Sequence, residues 1–218
     1  MESETSFSNE LIDQEEKVSF DEIKSQFENP IEIDDISKIK DVFQELKDEH
    51  KITISIPVSI CGNEDRSSNL KRISRELRLE IFSYIGLSPE SEIGEDIKTF
   101  VGEAISDIGK HAFPNEKFEK ILVSVSKNGN DLAFHLVNPA KSDVNLNIIE
   151  DIDGEDELDK YDKQAHGQNI ALAIESDLNE KGCIVADKSR IVEDADTNIG
   201  VSRDIKITVP DSELESKE

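Results

Sequence analysis

One run of predicted elements, between residues 51 and 138, most constrains the fold of this chain. The segment KITISIP alternates isoleucine with polar residues or proline, as a half-buried strand does. Two amphipathic helices are predicted next, at about 69–84 and 91–113, and two strands follow at 121–127 and 131–138. An Asn-Gly pair joins these strands and is typical of a hairpin. With a helix at about 169–180 and strands at 183–187 and 204–210, the order predicts an α+β fold: a two-layer sandwich with helices over a mixed, mostly antiparallel sheet.

The charge of the chain narrows the classes of partner. Its 50 acidic and 25 basic side chains give a net charge of −25, which argues against direct binding of nucleic acid or an anionic membrane. No apolar run approaches the roughly 20 residues that span a bilayer, and the N-terminus lacks the features of a signal peptide. Two cysteines are too few for a disulfide framework. We therefore expect a cytoplasmic protein without a membrane segment.

The acidic residues are unevenly distributed along the chain. Residues 1–49 hold sixteen of them against five lysines, which predicts an acidic, partly helical N-terminal extension. The folded domain is expected at 50–210, followed by a disordered tail at 211–218.

Two helices are predicted inside the extension. Ser19 and Glu22 have the spacing of a capping box, and Pro30 ends the helix that they begin. In the next helix, capped by Asp34 or Asp35, four apolar residues fall on one face: Ile36, Ile39, Phe43 and Leu46. This face either packs on the protein's own domain or docks a partner or a second copy.

The helix predicted at 91–113 carries the residues with the most chemistry. Its apolar stripe can bury on the sheet, while Glu103, Asp107, Lys110 and His111 cluster on the other side. Carboxylates four residues apart lie about 6 Å from each other along a helix, a distance suited to holding a metal and a water. The alternative is an ordinary solvated face.

The segment EAISDIGKHA, residues 103–112, resembles the E-x-x-x-N-x-x-K/R-H box of the ATPases of the gyrase, histidine-kinase and heat-shock-chaperone type. The order of elements over about 51–210 is similar to that of the bacterial anti-sigma-factor serine kinases. The resemblance implies a histidine-kinase-like ATPase fold that binds ATP and Mg²⁺. It implies that Glu103 is the catalytic base, that Asp107 binds the metal, and that Lys110, as a cofactor-binding residue, offsets the negative charge that Asp107 adds beside the triphosphate. It also implies that His111 lines the phosphate side of the cofactor site; the alternative is a histidine at a helix end that interacts with the helix dipole.

Two further stretches extend the resemblance. Asn138, which ends the second hairpin strand, takes the place of the aspartate that binds the adenine amine, and its amide retains an acceptor oxygen. The segment HGQNIALAIES resembles the second glycine box, with Gly167 in place and Asn169 where a second glycine is usual. Both residues are therefore expected in cofactor binding. The other glycines of these motifs and the final Gly-Thr are absent from the chain.

The resemblance implies an ATP-binding regulatory protein that acts on a protein partner, which would be a sigma factor or an anti-anti-sigma-like regulator. An active enzyme would be an ATP-dependent protein-serine kinase or ATPase. The alternative is a degenerate, non-catalytic interaction module that keeps the fold. The lost glycines favour this alternative, as does a segment at 150–166 with eight acidic residues and two lysines, because its charge would repel a triphosphate.

A basic patch contrasts with the acidity of the rest of the chain. It comprises Arg66, Lys71, Arg72, Arg75 and Arg78 and so holds four of the six arginines. It could dock the acidic extension, bind an acidic partner or form a contact in a homodimer, and the sequence leaves all three open.

Overall fold

The computed structural model describes residues 16–59, 66–87, 91–143 and 171–210, apart from the side chains of 66–67 and 109–111. The strands are β1 (Lys17–Ser19), β2 (Ile31–Glu32), β3 (Lys51–Pro57), β4 (Lys120–Asn128), β5 (Asp131–Pro139), β6 (Ile184–Asp194) and β7 (Thr197–Thr208). The helices are α1 (Phe20–Gln26), α2 (Lys38–Glu45), α3 (Arg66–Ile85), α4 (Glu92–His111) and α5, which covers residues 171–180.

All seven strands form one sheet in the order β1-β6-β7-β5-β4-β3-β2. The four inner pairings are antiparallel, whereas β1 pairs with β6 and β2 pairs with β3 in parallel. The prediction of an α+β fold with a mixed, mostly antiparallel sheet is therefore confirmed.

Two hairpins account for most of the sheet. The β4–β5 hairpin turns where predicted, and Gly129 has the positive φ of 57° that this turn requires. The β6–β7 hairpin is much longer than the predicted strands at 183–187 and 204–210, and it turns at Ala195 and Asp196, whose φ angles are 48° and 61°. In the part that was not predicted, polar and charged residues separate the apolar positions Ile191, Ile199 and Val201 from the predicted strands, so the apolar alternation is interrupted.

The main hydrophobic core lies on one face of the sheet, called here the front face. Helices α2, α3 and α4 and the helix α5 bury apolar side chains against this face, including Phe100 of α4 and Leu178 of α5. Helices α3 and α4 approach closely at Gly102, where a Cβ would lie 3.2 Å from Cδ of Arg78. This contact accounts for a glycine inside a helix, where it costs about 1 kcal/mol relative to alanine.

The N-terminal segment from β1 to β2 crosses the opposite face of the sheet, called here the back face. Ser19 caps α1 by accepting a hydrogen bond from the backbone N–H of Glu22 at 3.2 Å, so the predicted capping box marks a real helix start. The segment buries Val18, Ile23 and Phe27 in a second apolar cluster on the sheet. Residues of the predicted extension thus supply both edge strands and cover the back face.

Helix α2 returns the chain to the front face. Ile36, Ile39 and Phe43 are buried in the main core, and the Phe43 ring contacts the ring of Tyr84 on α3, with the centroids 6.0 Å apart. The apolar face of this helix therefore packs on the protein's own domain. No described helix has the length and apolar character needed to cross a membrane.

Candidate functional site

The two carboxylates singled out on α4 lie where this helix crosses β7. Asp107 Oδ2 is 3.6 Å from Nη1 of Arg203, a residue of β7 that projects from the front face. The charge of Glu103 also acts on Arg203, so the structure brings both carboxylates to one guanidinium. Both carboxylates are half-buried, and the Asp107 side chain keeps 47% exposure, so this face of α4 is partly solvated.

Arg203 is fixed from the sheet side by Asp187 of β6. Its Nε donates to Asp187 Oδ1 at 3.0 Å and its Nη2 donates to Asp187 Oδ2 at 2.6 Å, which is the bidentate geometry that suits a guanidinium and a carboxylate. The side chains of Arg203 and Asp187 are each 18% exposed. The guanidinium carbon also lies 5.9 Å from the ring centroid of Phe100 on α4. Arg203 therefore links the β6–β7 hairpin to α4.

The protonation of Arg203 follows from this setting. Burial alone would lower its pKa, because it disfavours the charged form. The hydrogen bond to Asp187 and the charges of Asp187, Asp107 and Glu103 outweigh burial and raise the pKa above its usual value. Arg203 is thus a permanent cation facing the carboxylates of α4.

Asn138 lies on the front face at the end of β5, close to the C-terminal end of α4. The backbone N–H of Phe113, two residues beyond α4, donates to the carbonyl oxygen of Pro139 at 2.7 Å. The Asn138 side chain is buried, and its Nδ2 donates to the same carbonyl at 3.1 Å, so the amide oxygen is the atom that can accept a further hydrogen bond. The end of α4 and the end of β5, which carries Asn138, therefore meet.

Asn115 holds this junction in place, a role that no sequence pattern indicates. Its Nδ2 donates to the carbonyl oxygens of Ala140 at 3.2 Å and Ile199 at 2.8 Å, while its Oδ1 accepts from the backbone N–H of Phe118 at 2.9 Å. One amide thereby connects the loop after α4 to the ends of β5 and β7.

Four predicted site residues lie wholly or partly outside the described part of the structure. Gly167 and Asn169 lie outside the described residues. Lys110 and His111 belong to α4, and the structure describes their backbone but not their side chains. Among the described residues, no group of three or more His, Cys, Asp or Glu side chains is arranged to hold a metal ion. A Mg²⁺ bound through Asp107 would thus depend on oxygens from a nucleotide and water, as is usual for this ion.

Arg203 and Asp187 are the residues of this site to which sequence reasoning assigned no role. A usable signal was present, because Arg203 occupies an inward position in a strand where Ile205 and Ile207 are the apolar inward residues. A charge at such a position calls for a partner.

A second polar cluster lies on the back face and does not form a catalytic triad. His135 Nε2 is 3.0 Å from Ser202 Oγ and 3.5 Å from Asp204 Oδ1, so one ring nitrogen faces both groups. A triad requires the carboxylate to orient the nitrogen opposite to the one that activates the serine. The serine is also fully buried, and the ring of Phe27 covers His135 at a centroid distance of 4.5 Å.

No protein-family model matches the sequence, and comparisons with curated proteins and with solved structures give no match.

Proposed function

We propose that this protein is an ATP-binding regulatory protein with a histidine-kinase-like ATPase fold that acts on a protein partner, in the manner of an anti-sigma factor. The observation that carries the proposal is the junction between the end of α4 and the end of β5, marked by the 2.7 Å hydrogen bond from Phe113 to Pro139. It brings the helix of Glu103 and Asp107 to the strand end that carries Asn138.

Each residue has a role that its chemistry permits. Asn138 would accept a hydrogen bond from the adenine amine through its amide oxygen. Asp107 would hold Mg²⁺ through a carboxylate oxygen. Glu103 would take a proton from the attacking hydroxyl or water, which requires a carboxylate near the terminal phosphate. Bound ATP supplies the phosphoryl group for transfer, and the partner would be a sigma factor or an anti-anti-sigma-like regulator.

The order of elements supports this proposal. The strand β3, the helices α3 and α4, the β4–β5 hairpin, α5 and the β6–β7 hairpin follow one another as the resemblance implies. The core of this arrangement is one continuous apolar cluster on the front face, so the helices and the sheet are held in one packed unit.

The ion pairing of Arg203 favours a second candidate function, a non-catalytic interaction module. Arg203 already gives Asp107 a positive partner, and a cation beside that carboxylate opposes the binding of Mg²⁺. In this candidate the Asp187–Arg203–Asp107 contacts serve to join the β6–β7 hairpin to α4, and regulation depends on protein contacts alone.

Binding of ATP separates the two candidates. The regulatory ATP-binding protein should show a thermal shift and a calorimetric heat with ATP and Mg²⁺, since a ligand at a hundredfold excess over its Kd stabilises the folded state by about 2.7 kcal/mol. The absence of both signals at millimolar ATP would reject the proposal and leave the interaction module.

If ATP binds, variants on α4 test the assigned roles. Glu103→Gln should abolish turnover and preserve affinity, because it removes the base and keeps the size of the side chain. Glu95→Gln, an exposed substitution two turns away on the same helix, is the matched control and should leave both unchanged. An equal loss of turnover and affinity in Glu103→Gln would show that Glu103 is not the base.

A further inference from the structure

Helix α3 carries an exposed basic surface in its middle part. We define the α3 basic face as Lys71, Arg72, Arg75 and Arg78, with the exposed Leu79 beside them. All four charged side chains are exposed, and no ion pair in the described part of the chain involves any of them. This is unusual in a chain with twice as many acidic as basic residues.

The apolar residue within this face indicates a binding surface rather than a solvated one. Leu79 is 51% exposed and follows Arg75 by one turn, so an apolar side chain lies at the C-terminal end of the row of cations. Protein-binding sites commonly combine exposed apolar side chains with charged ones beside them.

The acidic N-terminal extension does not cover this face within the described residues. From residue 16 to β2 the chain crosses the back face, and α2 packs beside α3 through Phe43 and Tyr84. Asp35 of the extension comes close enough to α3 that, after the larger effect of the hydrogen bonds from Ser37, the charge of Arg72 also lowers its pKa. Residue 16 lies at the β1 edge, where its backbone oxygen accepts from the N–H of Ile191 at 3.0 Å. Strand β1 is four strands away from β4, or roughly 19 Å at the usual strand spacing.

Helix α3 lies toward the other side of the sheet. Lys127 of β4 donates to the backbone oxygen of Tyr84 at 2.7 Å, and the Tyr84 hydroxyl donates to the backbone oxygen of Glu49, two residues before β3, at 2.8 Å. A segment that starts at the β1 edge would have to pass over α4 or around the sheet to reach the α3 basic face. The described residues leave the α3 basic face exposed, so it is open to an acidic occupant.

We propose that the α3 basic face docks an acidic segment of a partner protein, with an apolar residue of that segment seated on Leu79. Charge complementarity identifies this chemistry, because four exposed cations on one side of α3 select for carboxylates and the rest of the chain repels them. The inference deepens the proposed function by naming the surface that meets the partner, but it does not require ATP to bind.

A synthetic helical peptide provides the probe. It carries glutamates one turn apart around a central leucine, and a second peptide with glutamine in place of each glutamate is its control. Fluorescence anisotropy with the full chain should show saturable binding of the acidic peptide only, with affinity that falls as salt rises.

Paired charge reversals test the site. Arg72→Glu with Arg75→Glu should reduce the affinity at least tenfold, and Leu79→Ser should also weaken it. The matched control is Lys47→Glu with Lys206→Glu, which makes the same change in charge at exposed residues outside α3 and should leave the affinity within twofold. All of these positions are exposed, so the variants should fold, as circular dichroism and melting temperature can verify.

Several outcomes would overturn the inference. An equal loss in both paired reversals would mean that only net charge matters. Equal affinity for a double-stranded DNA oligomer would indicate a general polyanion site. Tighter peptide binding after deletion of residues 1–15 would identify the chain's own N-terminus as the occupant, and self-association lost in Arg72→Glu/Arg75→Glu would identify a second copy. A full chain that binds the acidic peptide but shows no binding of ATP would count against the proposed function and not against this docking site.

Discussion

Replacing Arg203 with methionine tests whether the ion pairs between α4 and the β6–β7 hairpin hold the fold together. The change removes the charge and all donors and keeps a long apolar side chain. Asp187 loses two hydrogen bonds, at 3.0 and 2.6 Å, and Asp107 loses the cation at 3.6 Å. Three carboxylates then face one another without Arg203 between them.

The expected loss of stability follows from the burial of the pair. Removing one partner from a fully buried ion pair costs about 3–5 kcal/mol, because the other charge stays buried and unpaired. Since Arg203 and Asp187 each retain 18% exposure, water screens part of this penalty and we expect about 2–3 kcal/mol. For a chain of this size, that corresponds to a fall in melting temperature of about 5–10 °C.

Urea unfolding followed by circular dichroism measures the effect, with a thermal melt as a second readout. Lys206→Met is the matched control, because it removes an exposed cation from the same strand and should change the free energy of unfolding by less than about 0.5 kcal/mol. Arg203→Met combined with Asp187→Leu should recover most of the loss, since an apolar pair can replace a buried ion pair. A single variant as stable as the wild type, or a double variant whose losses simply add, would refute the reasoning.

Three other substitutions test separate parts of the fold. Gly200→Ala should lower the free energy of unfolding in urea by about 2 kcal/mol or more, because a Cβ would lie 2.7 Å from the backbone carbonyl oxygen of Asn138. Gly102→Ala should cost less, because the atom closest to its Cβ belongs to the flexible side chain of Arg78. Equal losses would contradict this contrast. Ser19→Ala should cost about 1 kcal/mol by removing the cap of α1, and a loss near zero would mean that the cap adds nothing. Burial lowers the pKa of His135 and outweighs the opposing charge of Asp204, so the folded protein should lose stability as pH falls from about 6.5 toward that lowered pKa. His135→Gln should flatten the dependence of the free energy of unfolding on pH between about pH 7 and 5.5. An unchanged dependence would show that His135 is not its source.

The sequence predicted the inner part of the fold well because that part follows from local patterns. The alternation in β3, the apolar stripes of α3 and α4 and the Asn-Gly turn each depend on residues close together in the chain. The capping box at Ser19 is equally local, and the structure shows the hydrogen bond that it predicts. The edge strands were not predicted, because β1 has three residues and β2 has two, which is too few to show the alternation of a strand.

The candidate site was likewise predicted from the sequence only in part. Spacing along one helix was enough to group Glu103 with Asp107 on one face of α4, since four residues nearly complete a turn. The resemblance singled out Asn138, and the structure brings the end of its strand to the end of α4. The roles of Lys110, His111, Gly167 and Asn169 stay predictions.

The sequence by itself determined the α+β class, the elements at the centre of the sheet and the position of the polar helix, because short-range periodicity and turn chemistry decide these features. Only the tertiary structure decided what the polar residues contact. The pairing of Asp107 with Arg203 joins positions 96 residues apart, and that of Arg203 with Asp187 depends on the register of the β6–β7 hairpin. Tertiary structure also decided the place of the N-terminal segment. Its acidity suggested an extension, and its apolar residues cover the back face of the sheet. Burial depends on how the whole chain packs and not on local composition.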